Sequence, residues 1–363
     1  MKNKRISPIL LIITMAFFLS QCKSPGAKLT YPETKKVTQS DTYFGTVVND
    51  PYRWLENDTS AETKAWVKTE QEVTEKYLSQ IPFRENIRNR YKELLNYDKY
   101  FGAFKAGEYI IYTKQEGLQN QSVYYVQKGL DGEPKVLIDP NKLSEDGSVS
   151  VGLDGVSNDK KYIAYHVNKG GSDWQTMYIM EIATQKKLDD QLEWLKFGGA
   201  AWQGSGFYYS RYDKPAAGTE LSAKSEFQKI FYHKVGDRQE QDILIFEDKN
   251  YSQRYYYPQV TEDERYLFVY KTPGTDGTEV IYRNLTNGQK DFKLLFKGFE
   301  YNYSVLNNLG DQFLVNTNDG AGNYKVVLVD PGNPDKKNWK EIIPEKPEKL
   351  ESRRALKDHR RST

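Results

Sequence analysis

A hydrolase of the Ser-His-Asp kind needs a serine on a tight strand-to-helix elbow, usually Gly-x-Ser-x-Gly. It also needs a histidine placed to take the serine proton. The nearest stretch in this 363-residue sequence is Gly170-Gly171-Ser172-Asp173-Trp174, with Trp174 where the elbow requires its last glycine. The elbow depends on small residues there, so the stretch reads as a turn between strands. Three histidines are present. His166 ends a strand, His233 follows Phe231-Tyr232, and His359 lies in a charged tail. None accompanies a nucleophile motif. No His-x-x-x-His pair occurs, and a single cysteine, Cys22, excludes a disulfide framework and a cysteine-based zinc site. Asp276-Gly277, Asn287-Gly288 and Asp319-Gly320 are hairpin turns before they are ligands. No glycine-rich phosphate loop precedes a helix. These residues predict no catalytic machinery, no metal and no cofactor within the chain.

The composition says what kind of scaffold surrounds them. Charged residues make up 28% and balance to a formal +2, so no electrostatic footprint marks the chain for nucleic acid. Aromatics reach 14%, with 28 tyrosines. Tyrosine packs a pleated surface and keeps its hydroxyl wet, so this is the composition of an all-β protein with many strand faces.

The pattern along the chain agrees. Residues 176–182 alternate like a strand, residues 185–188 read as a turn, a polar connection follows, and Phe207-Tyr208-Tyr209 opens the next strand. From Tyr97 to about Pro344 a three-strand module recurs at intervals of roughly 45 to 60 residues, near the spacing of propeller blades. The predicted strands are 108–112, 122–126 and 135–138; then 161–165 and 177–180; then 206–209, 229–232 and 242–246. Two further units carry 265–270, 279–282 and 293–296, and 312–315, 324–329 and 339–343. Five such units predict a mainly β fold, a β-propeller of about five blades. An irregular β-sandwich is the alternative.

Ahead of the sheets the sequence changes character. Lys2, Lys4 and Arg5 precede an apolar run from Ile9 to Leu19, too short to span a bilayer comfortably and typical of a signal peptide. Lys23 to Lys28 reads as a polar tether. Asp58 or Thr59 can cap a helix that places Trp66, Glu70, Val73 and Tyr77 on one face. Pro82 breaks it, and a second helix carries Phe83, Ile87, Tyr91 and Leu94 at the same spacing. Each stripe calls for something to pack on.

Several motifs together resemble one family. Asp50-Pro51-Tyr52-Arg53-Trp54-Leu55-Glu56, then Ser172-Asp173-Trp174, Trp194-Leu195-Lys196-Phe197, Ala201-Trp202 and Gly206-Phe207-Tyr208-Tyr209-Ser210-Arg211-Tyr212 are similar to the prolyl oligopeptidases. Those are serine peptidases that cut short peptides after proline. The resemblance runs from about Tyr31 to about Glu345. It implies a seven-bladed type of propeller, of which five blades are present, and a helical lead-in that packs on an α/β-hydrolase domain. In that family the propeller covers the active site, admits only small flexible peptides, and lends side chains to the substrate pocket. Phe197 matches the pocket phenylalanine, with a buried inter-blade phenylalanine as the alternative. Thr275, in the loop 271–276, stands where some members have cysteine. Leu19-Ser20-Gln21-Cys22 resembles a bacterial lipoprotein box, which implies lipidation of Cys22; simple secretion is the alternative.

The expected organisation is a lipoprotein-type signal peptide at 1–21, a tether at 22–30, a helical segment at 31–96, the incomplete propeller at 97–345, and an aberrant basic tail at 346–363. Family members continue into two more blades and a hydrolase domain that holds the serine, aspartate and histidine. The resemblance thus implies a chain truncated after Glu345, for which a frameshift is one cause, and the alternative is a genuine short protein with a charged tail. The expected function is the substrate-gating part of a prolyl endopeptidase, inactive alone, whose short proline-containing peptides would be cut by the missing domain. A non-catalytic, envelope-anchored propeller that binds peptides or a protein is the second reading, and complementation by a separately encoded hydrolase domain the third. The expected location is the periplasmic side of the cell envelope, with no nucleic-acid partner and membrane contact only through the lipid.

Overall fold

A computed structural model describes residues 29–350, so the expected signal peptide, Cys22, His359 and most of the basic tail lie outside the described residues. The chain forms two compact units, residues 1–93 and 94–363.

In the first unit a hairpin, β1 (Ser40–Tyr43) and β2 (Thr46–Asn49), precedes helices α1 (Ala61–Leu78) and α2 (Arg84–Leu95). Ser60, rather than Asp58 or Thr59, caps α1: its hydroxyl accepts from the Thr63 N–H at 3.0 Å. The Asp50–Glu56 motif is a charged knot. Arg53 donates to Asp50 at 2.6 Å and also pairs with Asp41, while the Trp54 indole donates to the Lys35 carbonyl at 3.0 Å. Trp66 and Val73 of the α1 stripe are half-buried. The α2 stripe of Phe83, Ile87, Tyr91 and Leu94 stands exposed. No helix among the described residues is long and apolar enough to cross a membrane.

Among the described residues the second unit contains five sheets, each a four-stranded antiparallel meander in chain order. They are β3 (Lys99–Ala106), β4 (Tyr109–Gln115), β5 (Val123–Lys128) and β6 (Lys135–Ile138); then β7 (Ser150–Val156), β8 (Tyr162–Asn168), β9 (Gln175–Glu181) and β10 (Lys186–Leu195). The third has β11 (Ala201–Gln203), β12 (Gly206–Arg211), β13 (Lys229–Lys234) and β14 (Ile243–Phe246). The fourth has β15 (Tyr255–Val260), β16 (Tyr266–Thr272), β17 (Glu279–Asn284) and β18 (Lys293–Phe296). The fifth has β19 (Tyr303–Leu309), β20 (Gln312–Thr317), β21 (Lys325–Val329) and β22 (Lys340–Ile343).

What separates this arrangement from a sandwich is where the core lies. The described residues form four cores, one between each successive pair of sheets. On β16 the side chains of Tyr266, Phe268 and Tyr270 enter the core shared with the fifth sheet, while Leu267 and Val269 enter the core shared with the third. A strand covered on both faces carries no polar face, which is why this stretch reads as an unbroken apolar run. The second strands β8 and β12 divide their residues the same way. Sheets stacked one after another, the second, third and fourth packed on both faces, build a propeller arc.

The expected three-strand module is a four-strand blade. The strand missed in every unit is the first: β3, β7, β11, β15 and β19. These strands lie nearest the centre, with β11 against both β7 and β15. Their period is broken by bulges in β3, β7 and β19, by Pro258 in β15, and by the brevity of β11. The second sheet holds a further correction. Residues 186–195, expected to be turn and polar connection, form its outer strand β10.

Candidate functional site

Strands β15 and β16, together with the segments around Phe197, Thr275 and Asn302, line a cavity of about 670 Å³ that brings Phe197 and Thr275 together. Phe197 arrives from the segment after β10. It sits at φ +52° with about half of its surface exposed, a backbone region that a phenylalanine occupies only when its surroundings hold it there. Tyr255 and Tyr257 project from β15 onto the opposite wall with their rings nearly parallel. Tyr270 stands behind them, and its hydroxyl accepts from the Val305 N–H and donates to Gln259, both at 2.9 Å. Burial pushes the Tyr270 phenol upward, so it stays neutral.

Thr275 is placed by the loop 273–278. Asn302 accepts from the Gly277 N–H at 2.9 Å and donates to Asp276, while Thr278 accepts from the Tyr303 N–H at 2.7 Å. Gly277 lies at φ +79°, and a Cβ there would fall 2.0 Å from the Phe299 carbonyl oxygen. Gly277→Ala is therefore expected to destabilise by about 2 kcal/mol or more. A lower urea midpoint would register this, and an unchanged midpoint would mean that the loop is held less tightly than its hydrogen bonds imply.

Among the described residues no charged side chain lines this cavity. Rings and threonine side chains suit an uncharged, compact, apolar group rather than an ion. A second cavity of about 410 Å³ shares Phe197 and Tyr257 and continues along β7 and the 198–202 segment past Asp154 and Trp202.

Two histidines meet carboxylates instead of a nucleophile. His166 Nδ1 lies 2.7 Å from Asp154, whose carboxyl is pushed up by burial although His166 pulls the other way. His233 is fully buried between Asp242 at 2.6 Å and Asp190 at 3.0 Å. Burial alone would depress its pKa, but the two carboxylates outweigh burial and push it up to about 9. Ser172 lies in the β8–β9 turn, where its hydroxyl accepts from the Trp174 N–H at 3.1 Å. No cluster of three metal-ligating side chains occurs among the described residues.

Sequence reasoning missed Tyr255, Tyr257 and Asn302. The Tyr255-Tyr256-Tyr257 run is the signal that could have found the two tyrosines, although Pro258 beside it interrupts a strand pattern. Nothing local marks Asn302, whose role depends on a loop from the neighbouring sheet.

Stacked four-stranded meanders that share an aromatic cavity define the class: a β-propeller with a site built from strands and loops. The family model described as "Prolyl oligopeptidase, N-terminal beta-propeller domain" matches residues 31–360, and the chain belongs to the prolyl oligopeptidase family through that domain. It is 43% identical over 326 residues to a prolyl endopeptidase from Elizabethkingia meningoseptica, covering 89% of this chain and 46% of the relative. It is 29% identical to prolyl oligopeptidase A from Amanita bisporigera, covering 87% and 46%. Among solved structures, it is similar to one from a study of two prolyl endopeptidases and inter-domain dynamics, at TM-score 0.76 and 30% identity, covering 88% of this chain and 47% of that one. It is also similar to prolyl oligopeptidase B from Galerina marginata bound to a 35mer substrate, at TM-score 0.73 and 27% identity, covering 89% and 48%. The five-blade arc is consistent with the seven-bladed type of these neighbours. The chain spans about half the length of the relatives it matches.

Proposed function

We propose that this chain is the substrate-gating propeller part of a prolyl endopeptidase that hydrolyses short peptides after proline, and that it does not cleave peptides alone. The observation that carries this reading is the apolar cavity shared by Phe197, Thr275 and the tyrosines of β15. A cavity of rings without charge accepts an uncharged segment of a peptide by burying apolar surface. Inactivity alone is supported by the histidines: among the described residues, both are bonded to carboxylates and neither to a serine. Purified chain should leave a blocked glycyl-prolyl anilide uncut, and measurable turnover would refute the inactive reading. A short proline peptide should bind, with Phe197→Ala weakening it roughly tenfold, the loss of about 1.4 kcal/mol of burial.

The alternative, a non-catalytic propeller that binds peptides or a protein in the cell envelope, draws support from a cavity walled by this chain's own strands and loops. Peptide binding that survives without cleavage when a hydrolase domain is added back would favour it. We also propose that Cys22 carries a lipid that anchors the protein on the periplasmic side of the envelope. The basic start and the apolar run before Cys22 support this. The mass of the mature chain tests it, since an unmodified cysteine would leave secretion.

A further inference from the structure

The strand that leads to Phe197 is paired with its own sheet at five positions, but two gaps interrupt the pairing. In the other four sheets the outer strand pairs with its neighbour through a single register shift. Strand β10 has two, between Lys187 and Gln191 and between Leu192 and Leu195. Residues 188–190 and 193–194 therefore lack partners in their own ladder. Segments of the third sheet bond three of them, Asp190, Glu193 and Trp194. In the first gap Asp190 accepts from the Gly236 N–H at 2.7 Å and from His233 at 3.0 Å. In the second, Gln239 accepts from the Glu193 N–H at 3.0 Å and donates to its carbonyl at 3.1 Å, and the Tyr212 N–H donates to the Trp194 carbonyl at 2.9 Å. Trp194 itself takes a left-handed backbone, φ +66°, three residues before Phe197. Bulges in edge strands re-aim side chains, and here the re-aimed strand is fastened to a different sheet.

His233 sits at the centre of that fastening. It is flanked by carboxylates on both ring nitrogens, Asp190 from β10 and Asp242 from the segment before β14. A neutral imidazole has one donor and one acceptor, so only the protonated ring satisfies both contacts. The other groups facing it are the Phe207 ring of β12 and, through Asp242, the Tyr209 hydroxyl at 2.5 Å. Outside Asp190 lies a cavity of about 350 Å³ bearing Asp189, Glu193, Asp237, Arg238 and Glu240. That surround is mostly anionic and favours the charged ring.

We propose that His233, protonated and bridging Asp190 and Asp242, is a positioning residue: it clasps β10 to the third sheet and thereby sets where Phe197 stands in the cavity. Loss of the proton leaves one contact without a hydrogen, so the clasp weakens as pH rises. The consequence for ligands rests on the cavity reading above; the clasp itself does not.

Fluorine NMR of the full chain grown with 4-fluorophenylalanine tests this. The sequence has 16 phenylalanines, and the Phe197 line is the one lost in Phe197→Leu. In the wild type that line should move with a midpoint near pH 9, the position of the His233 titration. In His233→Gln it should not titrate and should lie near its high-pH position throughout. The wild-type titration needs no variant, and Gln239→Ala, which removes the second fastening without unpairing a buried charge, should displace the same line near neutral pH. A Phe197 line that stays fixed while thermal stability falls with pH would overturn the proposal, leaving His233 a purely structural residue. A proline peptide added near neutral pH separates the two readings. A line that follows pH but ignores the peptide keeps the clasp and removes the cavity assignment.

Discussion

Phe313→Ala is expected to lower the unfolding free energy by about 3–5 kcal/mol, among the largest effects of any single side chain here. Phe313 has no exposed surface, and its ring meets Tyr266 at 4.8 Å, Phe268 at 4.9 Å and Tyr282 at 5.3 Å, each close to edge-on. It is the one residue of β20 that touches three rings of the fourth sheet. Truncation removes both its buried area and the edge-to-face contacts, and the surrounding rings are too large to collapse into the space. Leu130→Ala, at a side chain 83% exposed, is the control and should change stability by less than about 0.5 kcal/mol. Urea denaturation of both variants decides it. A loss near 1 kcal/mol for Phe313→Ala would mean that the fourth and fifth sheets do not pack face to face.

Removing one member of the buried triad should cost a similar amount. Asp190→Ala leaves His233 charged with one partner, and His233→Ala leaves two buried carboxylates facing each other. Either is expected to cost about 3–5 kcal/mol, because an ion is left in the interior without compensation. Replacement of the whole triad by apolar residues would be far milder, so the large value measures the unpaired charge rather than the worth of the pair.

The pH dependence has a definite sign. The folded protein holds the His233 pKa near 9 against an unfolded value of 6.5. Its contribution is complete below the unfolded value and is lost as pH rises through about 9. Over that window it amounts to on the order of 3 kcal/mol. Asp190 behaves oppositely. Burial alone would raise it, but His233 and the Gly236 N–H hold it below the usual carboxylate value. Its contribution is present above the unfolded value and lost as pH falls. Thermal melts should therefore show an alkaline decline that His233→Gln flattens. An alkaline limb unchanged by that substitution would assign the decline to other groups.

Much of the fold is legible in the amino-acid sequence. The middle strands of the second, third and fourth blades announce themselves, since 163–165, 207–209, 267–270 and 280–282 are apolar runs covered on both faces. Their recurrence marks five units, and the Asp50–Glu56 and Trp194–Phe197 motifs mark the family. The helices are legible from their stripes, though the cap falls on Ser60 because its hydroxyl reaches the Thr63 N–H. The stripe of α2 is as apolar as expected and stands exposed.

The strand-rich composition, the number of blades, the two helices and the family all follow from the order of residues along the chain. They depend on period and on local turn chemistry, and neighbouring residues carry that information. The first strand of each blade, the outer strand β10, the clasp at His233 and the walls around Phe197 follow from packing instead. Bulges, prolines and glycines break the period of the inner strands, so their pairing exists only against β4, β8, β12, β16 and β20. Asp190, His233 and Asp242 come from two sheets, and Phe197, Tyr255, Thr275 and Asn302 from segments of three. Each is an ordinary polar or aromatic residue in sequence, and stacking the sheets is what brings them within reach of one another.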